Sequence, residues 1–213
     1  MENLFAVSRE LVSRVDITYV RDKHQEIDWD SRLIGILGSR GTGKTTLMLQ
    51  HIRLHDNTPQ TLYVTADDFY FTTHRLEELA HQFMLQGGKH LYIDEIHNIV
   101  GAGAVSGGSL DVSNMLKPYL AEGRVRFIGA TTYEEYKKHF EKSKSLVRRL
   151  QNVEIKEPGV DETVEILSGL KKHYESYHGV KYGKGVLDYA VRMSDRYINE
   201  RFLPDKAIDL IEE

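Results

Sequence analysis

The chain has 213 residues, enough for one large domain or for one domain with a small lobe. Hydrophobic residues make up 40% and charged residues 28%, an ordinary globular composition that argues against disorder. Lys and Arg number 28 against 32 Asp and Glu, a net charge of -4, which excludes a strongly basic nucleic-acid binder as the default reading; the absence of cysteine excludes disulfides, thiolate metal sites and cysteine nucleophiles.

The acidic excess is uneven. Residues 1–98 carry 10 basic and 14 acidic side chains, and residues 99–213 carry 18 of each. The N-terminus, Met1-Glu2-Asn3-Leu4, has no basic region followed by a long apolar run, so no signal peptide is expected. The purest apolar run, Leu33–Leu37, is far short of the ~18 residues of a membrane helix. A soluble, cytoplasmic protein with no membrane partner is expected.

Along the chain, a helix is expected around residues 2–14, with Trp29 packing against it. Apolar runs at Leu33–Leu37, Thr61–Thr65, His90–Asp94, Val125–Gly129 and Asn152–Ile155 read as strands. Helical patterns lie between them at about 44–54, 74–86, 113–121 and 133–150, the second stopped by Gly87-Gly88. Near-continuous apolar strands alternating with helices predict an α/β fold with a parallel sheet covered on both faces. The Gly-rich stretch Gly101–Gly108 reads as a mobile loop. After Pro158 no strand signal remains. Helices are expected over about 162–177, capped by Asp161, over 185–197, and from near Pro204 to the end. The chain thus divides into an α/β unit, 1–158, and a helical lobe, 159–213.

Residues Gly38, Ser39, Arg40, Gly41, Thr42, Gly43, Lys44 and Thr45 fit GxxxxGK[ST] in full, after a strand and at the start of a helix. This is the context in which the pattern cradles phosphates. The glycines let backbone N–H groups turn inward, and the helix N-terminus favours anions. Lys44 is placed for the β- and γ-phosphates, the Thr45 hydroxyl for magnesium, and Thr46 follows on the nucleotide side. His90–Glu95 forms a strand that ends in two acids. Asp94 suits the magnesium and Glu95 the attacking water. ATP or ADP with Mg2+ is the expected cofactor pair. Asp67 and Asp68 divide evenly between the nucleotide edge of the sheet and capping of the next loop. His51 and His55 stand at i, i+4, a spacing that can hold zinc, but no HExxH glutamate and no third ligand is evident, and a surface pair is favoured.

At these motifs the chain carries a double resemblance. Residues 1–98 resemble a family of prokaryotic P-loop AAA ATPases through EIDWDSRLIGILGSRGTGKTTLMLQ, LYVTADDFYF and LAHQFMLQGGKHLYIDEIH. Residues 93–213 resemble the first AAA+ module of Clp-type unfoldases and disaggregases through IDEIHNIVGAGAVSGG, the stretch IGATTYEEYKKHFEKSKSLVRRLQNVEI and RFLPDKAIDLIEE. The two overlap at IDEIH, which implies a recombined or engineered chimera joined near residues 93–98.

The resemblance implies a P-loop AAA+ sheet of order 5-1-4-3-2 with a small C-terminal lid, here truncated at Glu213. It implies slow Mg-dependent ATP hydrolysis; the alternative is a chimeric fold that binds nucleotide, or only folds, without turnover. It matches Thr132 to the residue that senses the γ-phosphate, with Thr131 adjacent. It matches Arg148 and Arg149 to paired arginines that act on the nucleotide of the next subunit, so a homo-oligomeric ring is an implied partner. On composition alone, the six Lys or Arg residues of window 137–149 read as a solvated face. The family's aromatic-glycine pore loop is not visible in residues 66–89; Tyr70 has the wrong context. That argues against a threaded protein substrate.

Overall fold

A computed structural model describes residues 1–102, 112–141 and 147–212. Within the Gly101–Gly108 stretch, residues 103–108 lie outside the described residues, so that expectation does too. Strands β1 (Leu33–Leu37), β2 (Thr61–Thr65), β3 (His90–Asp94), β4 (Arg126–Thr131) and β5 (Gln151–Glu154) form one parallel sheet in the order β2-β3-β4-β1-β5. This is the expected order 5-1-4-3-2 viewed from the other edge. β4 runs two residues past the expected end at Gly129, which carries Thr131 to the carboxyl edge of the sheet.

Alternation along the strands decides what covers each face. Leu62, Val64, Leu91, Ile93 and Phe127 point to one side. There they meet Leu79 and Phe83 of α3 (Leu76–Leu85) and Leu116, Tyr119 and Leu120 of α5 (Val112–Glu122). Ile34, Ile36, Tyr63, Tyr92 and Ile128 point to the other side, against Leu47, Met48 and Ile52 of α2 (Lys44–His55). Each such side chain, fully buried, stabilises by about 1.5–3 kcal/mol. α1 (Glu2–Arg14) runs beside the outer strand β2 and gives Leu4 to the first cluster and Val12 to the second. Its buried Ser8 hydroxyl accepts the Tyr63 N–H at 3.0 Å, which occupies a donor on the edge strand.

Short helices α4 (His97–Ala102) and α6 (Tyr133–His139) follow β3 and β4. The helix expected over 133–150 is corrected. It ends at His139, where buried Phe140 turns into the core and the Phe140 and Glu141 N–H groups both return to the Tyr136 carbonyl. Residues 148–149 form a turn. Helices α7 (Val160–His178), α8 (Val186–Tyr197) and α9 (Asp205–Glu212) build a third cluster around Leu167, Val191, Leu203 and Ala207. Among the described residues, no helix is long and apolar enough to cross a membrane.

The segment between α1 and β1 forms a strap over α2. Gln50 donates to the carbonyls of Asp16 and Tyr19 at 2.8 and 2.7 Å. Arg53 donates to the carbonyls of Ser13, at 2.9 Å, and Val15. Trp29 shares the cluster of Val12 and Val15, as expected, but its closest ring partner is His51, stacked at 3.7 Å.

Candidate functional site

The loop between β1 and α2 turns on two glycines in the left-handed region, Gly41 at φ 76° and Gly43 at φ 87°. Side chains rarely adopt these angles, and this explains glycine at both positions. At Gly38 a Cβ would stand 2.5 Å from the Ile155 carbonyl oxygen, so the loop could not pack beside the end of β5 with a larger residue. Lys44 opens α2 and is buried. Its Nζ donates to the carbonyls of Gly38 and Ser39 at 3.0 and 2.8 Å. Burial pushes its pKa down, opposed by the charges of Glu95 and Asp94.

Asp94, the last residue of β3, is buried beside this loop. Its Oδ2 accepts from the Thr45 hydroxyl and, at 2.9 Å, from the Tyr63 hydroxyl. Burial first, then the Asp94 charge, drives the Tyr63 phenol far above its ordinary pKa, so it remains a donor. The Thr45 hydroxyl and the Asp94 carboxylate are hard oxygen donors, the set that suits magnesium.

Glu95 has φ 49°, the one positive value among described non-glycine residues. That conformation costs about 1–3 kcal/mol and concentrates at functional positions. Its N–H donates to Asp94 Oδ1 at 3.0 Å. Its buried Oε2 has no hydrogen-bond partner and faces His97 Nδ1 at 3.4 Å. His97 Nδ1 is also 3.0 Å from the Thr131 hydroxyl, so a polar chain runs from the end of β4 to Glu95. The hydroxyl of Thr132 caps α6 by accepting the Glu135 N–H at 3.3 Å. Arg148 and Arg149 are exposed in the turn before β5, and neither lines the cleft described next.

Lys44, Thr45, Thr46, Arg40 and Glu95 line one end of a cleft, a space of about 560 Å3. Asp67 and Asn98 flank it, joined by a 2.6 Å bond from Asn98 Nδ2. Asp68 instead caps the next turn through the Tyr70 N–H at 2.8 Å, so the two alternatives weighed for this acidic pair each hold for one residue. The other end is a space of about 290 Å3, with Val15, Leu47, Ile166 and Leu170 for apolar wall and Tyr19 at its side. Gly43, Thr46, Pro204 and Ile208 border both. A polar, phosphate-shaped end thus continues into an apolar slot between α2 and the C-terminal helices. Tyr70 stacks on His74 at 4.1 Å and packs on the core, while Phe69 is 82% exposed.

Three contributors were not singled out from sequence. Tyr63 reads as an ordinary strand aromatic. Arg21 of the strap donates to Glu162 at 2.7 Å and to the carbonyls of Thr42 and Lys156, both at 3.1 Å. Asp205 lies against Gly41, where a Cβ would come within 2.6 Å of it, and it is paired with Arg201 at 2.7 Å. Only the LPDKAID resemblance points toward the last.

Comparison with known proteins agrees with this geometry. A family model described as an AAA domain matches residues 30–163, and one described as an AAA lid domain matches residues 159–213. The chain is 55% identical over 122 residues to the chaperone protein ClpB of Mycobacterium tuberculosis, covering 57% of this chain and 14% of the relative. It is 40% identical over 193 residues to the Clp protease ATP-binding subunit ClpC of Staphylococcus epidermidis, covering 84% of this chain and 24% of the relative. Among solved structures, the extended-conformation Hsp104:casein complex of S. cerevisiae aligns with 98% of this chain and 39% of that one, at 30% identity and a TM-score of 0.76. The chain therefore spans a minor part of each of these relatives. With its five-stranded order, its phosphate loop and a family model over more than half its length, the chain belongs to the AAA domain family, on the side of the Clp and Hsp104 ATPases.

Proposed function

We propose that the chain binds MgATP in the cleft and hydrolyses it slowly. The observation that carries this reading is the convergence of Lys44, Thr45, Asp94 and Glu95 at one end of that cleft. Residues Gly38 to Thr46 would hold the phosphates, with Lys44 exchanging its carbonyl partners for phosphate oxygens. Thr45 and Asp94 would hold magnesium, which neutralises phosphate charge when bound. Glu95 would accept the proton of the attacking water through the carboxylate oxygen that faces the cleft, while Oε2 is turned back onto His97. Thr132 would sense the γ-phosphate while its oxygen caps α6, and Thr131 would act through His97. The apolar slot would take the base, closed by residues 159–213 as a lid over the 1–158 unit.

Arg148 and Arg149 would act on the nucleotide of a second copy of the chain. Their exposure, and their absence from the lining of this chain's own cleft, support a role across an interface. We also infer a hybrid ancestry for the chain; what supports it is that the likeness to ClpB, at 55% identity, takes in 122 residues, 57% of the chain. The solved Hsp104 relative holds casein. Within residues 66–89 no aromatic-glycine loop is visible that would support the threading of such a substrate.

Phosphate release tests the reading. Lys44→Ala should abolish turnover, and Glu95→Gln should retain ATP while lowering kcat about 100- to 10,000-fold. Turnover unchanged in Lys44→Ala overturns the hydrolytic reading. ATP binding with no turnover above the Glu95→Gln background selects the non-enzymatic alternative. Sedimentation with an ATP analogue tests assembly, and a monomer with and without it leaves the two arginines no site to act on.

A further inference from the structure

His51 and His55 lie one turn apart on α2, and the strap brings a third imidazole to them. His24, in the 3-10 turn Asp22–Glu26, places its Nε2 3.0 Å from His51 Nδ1. The ligand-capable nitrogens of His24, His51 and His55 all lie within 4.8 Å of one another. His24 and His51 are buried and His55 is exposed. Two tetrahedral ligands on one zinc ion, each at ~2.0–2.1 Å, stand roughly 3.3 Å apart. The inner pair is already at that spacing, and the exposed His55 can swing the remaining distance.

The surroundings are those of a held ligand set. Trp29 stacks flat on His51, with 12° between the planes, and its Nε1 donates to the His24 carbonyl at 3.1 Å. The stacking fixes the plane of the His51 ring, and the hydrogen bond ties the His24 backbone to the same indole. Burial lowers the His24 pKa, and burial with the neighbouring imidazoles brings His51 to about 3, so both inner rings are neutral. Each can carry its proton on the nitrogen away from the shared contact.

We propose that His24, His51 and His55 form a three-imidazole site for Zn2+ that pins the strap onto the phosphate-loop helix. The expectation of a surface pair is thereby revised: His51 is buried, and the third ligand comes from a residue 27 positions earlier in the chain. The strap also carries Tyr19 and Arg21, which line the apolar end of the cleft. The ion would lie about 10 Å along α2 from Lys44, at 1.5 Å per residue, separate from the magnesium donors.

The test uses the full chain, stripped of metal and free of nucleotide. Trp29 is the one tryptophan, so its emission reports the site directly. Zn2+ titration should give a saturable emission change at one ion per chain, and Co2+ should give the d–d absorption of a tetrahedral site. His55→Ala, exposed and safe for folding, should weaken Zn2+ binding at least about tenfold. His24→Gln should do the same in a sample whose circular dichroism is unchanged. Asp94→Asn should leave the affinity alone. The proposal is overturned by no saturable signal up to millimolar ion, by an affinity that His55→Ala leaves unchanged, or by binding that follows Asp94→Asn instead. None of these outcomes depends on ATP turnover.

Discussion

Glu95 combines three features that a solvating acid at a strand end lacks: a left-handed backbone, a carboxylate oxygen buried without a hydrogen-bond donor, and a neighbour, His97, fixed from behind by Thr131. His97 thus acts as a positioning residue in the proposed reaction, because it sets where Oε2 points without reaching the cleft. His97→Ala should lower kcat between about 10- and 100-fold and leave the KM for ATP near its original value, the signature of a misplaced base rather than a lost binding contact. Steady-state phosphate release checks this. A parallel rise in KM would assign His97 to nucleotide binding instead. The burial of Lys44 belongs to the same scale. Its ammonium is hydrogen-bonded to two carbonyls of its own loop, so the loop keeps its shape around a desolvated charge that Glu95 and Asp94 also favour.

At the scale of elements, the strands are legible in the sequence because each is a short, nearly unbroken apolar run, the pattern a doubly covered parallel strand demands. The phosphate loop is legible because its chemistry is contiguous. The end of α6 is not, since charged residues continue the helical pattern to 150 while Phe140 and Tyr136 settle the matter through the core. Tyr63, Arg21 and His24 escape for a related reason. Each acquires its role from a partner at least 21 residues away, and neither periodicity nor spacing records such a meeting. Helix α3 shows how closely an element's stop depends on its packing. The Gly88 N–H returns to the Phe83 carbonyl at 2.9 Å, and a Cβ on Gly88 would lie 2.5 Å from the Phe83 ring. Phe83 is fully buried under β2 and β3. Phe83→Ala should therefore cost about 3–5 kcal/mol, read as a lower midpoint in urea with little change in slope.

Across the whole molecule, the C-terminal helices join the sheet through a few polar ties as well as apolar packing. Arg21 links Glu162 of α7, the phosphate loop at Thr42 and the connector at Lys156. Buried Lys206 donates to the Ile198 carbonyl at 3.0 Å and stands 3.9 Å from Glu157, which itself accepts the Leu203 N–H at 2.7 Å. Arg21→Ala should raise the KM for ATP about 10- to 100-fold, consistent with about 1.5–3 kcal/mol for a charged hydrogen bond, and should quicken proteolysis near Pro158. Unchanged digestion would show that the apolar contacts alone hold the lid.

The strand order has a further consequence for any exchange of sequence between families. Of the four pairings in the sheet, only β2–β3 lies wholly before residue 98; β3–β4, β4–β1 and β1–β5 each join the earlier stretch to the later one. The two stretches interleave like the teeth of a zip. A crossover near Asp94 and Glu95 must match at three seams at once; the earlier stretch alone keeps only the β2–β3 pairing, and the later one keeps none. Produced as separate polypeptides, the two would have to associate before either could complete the five-stranded sheet.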